Sequence, residues 1–270
     1  MLMKEYKINS ISDYLKILPE YNEFSDTLLD NLILYRGQGN ESWKLLPSVM
    51  RNREDYLNEE LYIKECLRQY PEEFTGMSKL DVLIKMQHYG MPTRLLDLTK
   101  NPLIALYFAC ISEPDFDGAV YCVCGPVFRS TDLHINAIAE NVFLAKSHGK
   151  FYNYKKEVMI EGEKIACDSE YILKCDTPII FETPLNNDRI KQQDGYFAIY
   201  RGEDKWGEIN YKYKIIIDRK SKKDIIRQLS VLGIDSKFLF PEFVNGVPCI
   251  ISSIRERNQD FNKQFQTLLD

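Results

Sequence analysis

The stretch SKLDVLIKMQHYGMPTRLLDLTKNPLIALYFA, residues 78–109, constrains this chain more than any other. Ser78 caps a helix whose apolar residues recur at helical spacing. Gly90 suits the positive φ that follows a helix end, and Pro92 cannot continue the helix. Met91, before the proline, is held extended. TRLLDLT then reads as a short strand. Asn101 caps a second, strongly apolar helix, NPLIALYFACIS, with Pro102 at its first position. A helix, a sharp stop, a strand and a buried helix are therefore set in succession.

The flanking sequence supplies the remaining elements. SISDYLKILPEYNEF reads as a short Ser-capped helix, and NLILYRGQ as a buried strand ending in a turn. A longer amphipathic helix is expected over REDYLNEELYIKECLRQYPEEF. The segments GAVYCVCG, PIIFETP, GYFAIY and YKIIID read as strands, and KKDIIRQLSVLGI as a helix closed by Gly233. Helices thus precede a strand-rich second half, which predicts an α+β fold in a single domain with N-terminal helices and a mixed or antiparallel β core. Residues 1–29 read as an N-terminal helical segment, 127–175 as an insertion or lid, and 246–270 as a strand and helix extension.

Composition narrows the function classes. The 270 residues are 44% hydrophobic and 28% charged, as in ordinary globular proteins, and the net charge of −5 argues against a broad nucleic-acid or membrane-binding face. The chain shows no apolar run of transmembrane length, and its start lacks a signal-peptide core, so a cytoplasmic protein is expected. Seven scattered cysteines, with Cys122 and Cys124 sharing one face of a strand, read as reduced thiols. The basic stretch DRKSKKDIIR opens an amphipathic helix and reads as a solvated face.

A polar cluster interrupts these apolar elements. If TRLLDLT is extended, Thr93, Leu95, Asp97 and Thr99 share one face, and Arg94, Leu96 and Leu98 the other. The free backbone N–H groups of the helix starting near Asn101 add a site suited to a phosphate. Arg36, at the end of a buried strand and followed by Gly37 and Gln38, presents a bidentate donor for phosphate or carboxylate. Each candidate also has a purely structural role open to it. Arg94 and Asp97 can form one internal ion pair, and His88 can pack at its helix end. Tyr35 and Tyr89 suit either base stacking or core packing. His88, His134 and His148 are far apart in the sequence, and the cluster holds one carboxylate, so no metal is expected.

The pieces YRGQ…W.L.PS..R, QHYGMPTRLLDLT.NPLIALYFA and RIKQQDGYF, with the late VLGIDSKFLFPEF, resemble the FRG domain, named for its Phe/Tyr-Arg-Gly motif. That resemblance covers residues 30–245 and implies a bacterial or phage protein, often from mobile or defence-related contexts. More distantly, the order of an Arg-ended strand, a D-L-T-x-N-P-x-x-A-x-x-F-A junction and a later polar position is similar to an ADP-ribosyltransferase core. It implies that Arg36, His88, Gln193 and Glu157 are the catalytic candidates, and that Arg36 anchors NAD with Gln38, His88, Tyr89, Thr93, Arg94, Asp97 and Thr99 around it. Ala105, Phe108 and Ala109 match the family's helix pattern. The departures are LDLT in place of Ser-Thr-Ser and the want of a clear late Glu, for which Gln193 and Glu157 are rival counterparts. The implied function is an NAD-using, ADP-ribosyltransferase-like toxin or defence effector acting on a macromolecular acceptor. The alternative is a non-catalytic FRG module that recognises a nucleotide, a nucleic acid or a phage component.

Overall fold

The structure, a computed structural model, describes residues 4–18, 31–144, 147–148, 151–152, 157–160, 162–166, 178–183, 188–200 and 209–241. It opens with strand β1 (Lys4–Ile8) and helix α1 (Ile11–Ile17), then β2 (Asn31–Gln38). The helices α2 (Ser48–Arg51), α3 (Arg53–Gln69) and α4 (Lys79–His88) follow, and then β3 (Leu95–Thr99), α5 (Pro102–Cys110), β4 (Gly118–Arg129) and α6 (Leu133–Leu144). Short strands β5 (Ser147–His148) and β6 (Phe151–Tyr152) pair with each other, as do β7 (Glu157–Ile160) and β8 (Glu163–Ala166). The chain continues through β9 (Ile179–Glu182), α7 (Asp188–Gln192), β10 (Gly195–Ile199), β11 (Tyr213–Ile217) and α8 (Lys222–Val231).

Among the described residues the principal sheet has seven strands in the order β1-β11-β4-β2-β3-β10-β9. The long β4 also pairs with β9, Val127 opposite Ile180, which bends the strands from β4 round to β9 into a closed, barrel-like ring. Leu34, Leu96, Leu98, Tyr121, Val123, Ile180 and Ala198 fill one buried cluster contributed by all five ring strands. A second cluster joins α5 and α8 to β1 and β11, and a third joins α3, α4 and α6 to β9 and β10. The architecture is mixed helix and strand, as the α+β reading holds.

The local signals around residues 78–109 are realised. Ser78 accepts a hydrogen bond from the Asp81 amide, Gly90 has φ +84°, and Asn101 accepts from the Leu103 and Ile104 amides. One reading is corrected. Residues 4–8 lie within the segment read as helical, yet they form β1, paired in parallel with β11. Tyr6 and Ile8 alternate with charged residues there, but the partner strand is some two hundred residues away. The region 127–175, read as an insertion or lid, contributes the end of β4 and helix α6, whose Ile135, Ile138, Ala139 and Val142 are buried in the third cluster. The rest of residues 19–30 and the expected extension over 246–270 lie outside the described residues.

Close packing of α5 on the sheet explains its small residues. A Cβ on Gly37 would fall on the carbonyl oxygen of Ala105 and 2.8 Å from the Ala109 amide nitrogen. Both obstacles are backbone, so no side chain can move aside. Gly37→Ala is expected to destabilise the protein by at least the upper part of the ~1–3 kcal/mol typical of overpacking. Gly125→Ala, whose Cβ would stand 3.6 Å from the Ile180 Cδ1, is expected to melt near the wild-type temperature. Thermal denaturation of the pair checks this.

Candidate functional site

The ring is least zipped between β2 and β3, which share the single register pair Tyr35–Thr99. A cleft of about 240 Å³ opens beside this junction. Because side chains alternate along a strand, Arg36 and Gln38 share one side of β2, and Tyr35 and Gly37 the other. Arg36 crosses toward β3. Its Nη1 donates to the main-chain oxygen of Asp97 at 2.9 Å and to Oδ2 at 3.1 Å. The same Oδ2 accepts from Gln87 Nε2 at 3.1 Å. The Asp97 carboxylate is 49% exposed, so it faces the cleft while held from two sides.

Arg51 and Arg189 also line this cleft, as do Trp43, Thr99, Phe108 and Gln193. Among the described residues its wall therefore carries three guanidinium groups and one carboxylate. Burial and then the neighbouring Arg36 charge lower the pKa of Arg51, with Asp97 acting against them. Cations crowded in this way favour an anion between them. Arg51 lies in the W.L.PS..R segment, where nothing local marks it as a cleft residue. Arg189 arrives from α7, donates Nη1 to the His88 carbonyl at 3.2 Å, and stacks on Phe240 at 4.9 Å.

The remaining expected site residues divide sharply. Arg94 is fully buried and does not meet Asp97. Its Nε donates to Glu59 Oε1 at 2.9 Å, its Nη2 donates to Glu59 Oε2, and its Nη1 reaches the Tyr200 carbonyl at 3.4 Å. The reason is the alternation of β3, which turns Arg94 and Asp97 to opposite faces. Thr93 is likewise buried and donates its hydroxyl to Gln87 Oε1 at 2.5 Å, so it supports the residue that holds Asp97. Tyr89 points outward with 76% of its surface exposed and lines neither the cleft nor the recess beside it. His88 lines that recess, together with Asp97, Arg189 and Gln193.

Thr99 faces the cleft, but its hydroxyl donates to the Gln193 main-chain oxygen at 2.6 Å and accepts from the Asn101 amide at 3.0 Å. Gln193 itself donates Nε2 to the Leu239 carbonyl at 3.0 Å. Glu157 is not brought to the cleft. It sits on β7, pairs with Lys164 of β8, and belongs to a hairpin that rests on α6 through Val158 and Ala137.

One further residue of the rim is hidden in a charge run, since such runs are usually solvated. Lys222, inside the basic stretch, is buried, and its Nζ donates to the carbonyls of Gly39 at 2.6 Å, Ser112 at 2.9 Å and Glu113 at 2.8 Å. Burial lowers its pKa. Gly39 and Ser112 line the cleft, so this ammonium ties two parts of its rim together. No helix among the described residues is long and apolar enough to cross a membrane.

The fold and site define an α+β protein with an arginine-rich cleft beside an incompletely paired sheet junction. The FRG domain family model matches residues 31–118, from the start of β2 to the first residue of β4. This segment contains Arg36, Gln38, Trp43, Arg51, Gln87 and Asp97, whereas Arg189 and Gln193 reach the cleft from beyond it. No curated protein and no solved structure matches the chain.

Proposed function

We propose that the cleft binds a nucleotide through its phosphates, with NAD or a related nucleotide as ligand, and that the chain acts as a recognition module. The observation that carries this is that Arg36, Arg51 and Arg189 line one cleft whose single carboxylate among the described residues, Asp97, is held by Arg36, with the half-exposed Trp43 on the same wall. Guanidinium forks match phosphate oxygens in pairs, and an exposed indole offers a face for a base.

Retention of the ligand fits these side chains better than its cleavage. Cleavage of a glycosidic bond needs negative charge against a developing oxocarbenium ion. Asp97 already answers Arg36 and Gln87, and Gln193 carries no charge. The half-exposure of Asp97 favours a second reading, in which the chain is an ADP-ribosyltransferase-like enzyme serving as a toxin or defence effector. There Asp97 would face the sugar ring while the arginines hold the diphosphate.

Calorimetric titration with NAD, combined with chromatography for free nicotinamide, separates the two. Saturable binding without nicotinamide, with or without added cell lysate, is the expected result. Nicotinamide release lost in Asp97→Asn would establish the transferase reading instead. Neither binding nor release would overturn both.

A further inference from the structure

Gln38 is 3% exposed, lines the cleft, and leaves one polar atom unsatisfied. Its Nε2 donates to the Trp43 carbonyl at 3.0 Å. That bond fixes the amide's orientation, since the reverse would set two acceptor oxygens together. The other end, Oε1, has no hydrogen-bond partner among the described residues, and neither does the buried Nε of Arg36. Two positions apart on the same side of β2, about 7 Å along the strand, the cleft wall therefore holds a buried unmet acceptor and a buried unmet donor, which a ligand reaches once the two side chains turn toward it.

These two atoms ask different things of a ligand. Arg36 Nε requires an acceptor, which a phosphate oxygen supplies. Gln38 Oε1 requires an O–H or N–H. An ionised diphosphate diester has acceptors only and cannot answer it. A ribose carries hydroxyl donors within reach of its own 5′-phosphate, whereas the exocyclic amine of a base lies farther off, on the ring that Trp43 is placed to stack.

Granted the nucleotide site proposed above, we propose that Gln38 reads one ribose hydroxyl and so selects against a nucleotide whose sugar lacks it. Arg36 and Gln38 together then recognise a sugar phosphate, with selectivity set by Gln38 and attraction by the arginines. A site built to hydrogen-bond a hydroxyl rejects the analogue lacking it, because its own buried group is left unpaired.

The test is a binding series by calorimetry. It uses NAD and NAD analogues lacking a single 2′- or 3′-hydroxyl on either ribose, against wild type and Gln38→Met. Methionine keeps the buried volume and removes both polar atoms. Wild type is expected to bind at least one deoxy analogue tenfold or more weakly than NAD, and in Gln38→Met that ratio is expected to collapse to within about twofold. Equal binding of all analogues by wild type would overturn the role of Gln38 and leave the nucleotide site standing. Full discrimination retained in Gln38→Met would overturn it as well. If none of the compounds binds, the nucleotide site falls, and the ribose reading with it. Should Gln38→Met fail to fold, the wild-type series alone decides, because it too has an overturning result.

Discussion

Arg36→Ala is expected to lose nucleotide binding while keeping the fold. Arg36 is one of three arginines lining the cleft, and its Nη1 already organises Asp97 through two hydrogen bonds at 2.9 and 3.1 Å. Truncation removes a charge-assisted contact to phosphate and leaves Asp97 facing the ligand without its neutralising partner. Both changes act against an anion. The expected loss is about a hundredfold in Kd, or roughly 3 kcal/mol. The fold survives because the Asp97 carboxylate is half exposed and water can take over the lost partner. Arg36→Lys separates charge from geometry: it keeps the cation but not the planar fork, and an intermediate loss is expected. The measurement is calorimetric affinity beside the thermal melting profile. Unfolding of Arg36→Ala, or binding within twofold of wild type, would return Arg36 to a purely structural role.

The largest effect on stability is expected at a pair that touches no ligand. Arg94 and Glu59 are 0% and 1% exposed, and they meet through two hydrogen bonds that tie α3 to the start of β3. Removing one partner strands the other charge in the interior, which costs about 3–5 kcal/mol. For a chain of this size, Glu59→Ala should therefore lower the Tm by roughly 10 °C. Replacing both residues together with methionine should recover most of that loss, because a packed apolar pair replaces the buried charges without leaving either alone. The double variant should also bind nucleotide with near wild-type affinity. A melting point within a degree of wild type for Glu59→Ala would show the pair to be dispensable. A large loss of affinity in the stable double variant would show that Arg94 reaches the ligand after all.

Arg36 and Arg94 illustrate how differently two arginines of similar sequence appearance can end. Both adjoin apolar strands, and both invite a phosphate reading. The alternation of β3 separates Arg94 from Asp97 and is legible in TRLLDLT. The carboxylate that meets Arg94 is not legible, since Glu59 sits on an amphipathic helix among other acidic residues of α3. Lys222 shows the same limit from the other direction. Its neighbours Arg219, Lys220 and Lys223 are exposed, and nothing in the run marks the one lysine directed at three carbonyl oxygens. Arg51 and Arg189 were equally hidden. Each has an ordinary local setting, and their chemistry comes from lining one cleft with a third arginine.

What the sequence by itself determined is local. The stop at Gly90, the capped start of α5 at Asn101 and the faces of β3 follow from interactions within a turn or two of chain, or from a strand's two-residue repeat. Tertiary structure alone decided the partners: Arg36 with Asp97, Arg94 with Glu59, β1 with β11, and three arginines around one cavity. The physical reason is range. Caps and periodicities are set by backbone geometry between near neighbours, whereas the fate of a charge depends on which distant group shares its burial. That pairing exists only once the ring of strands has closed.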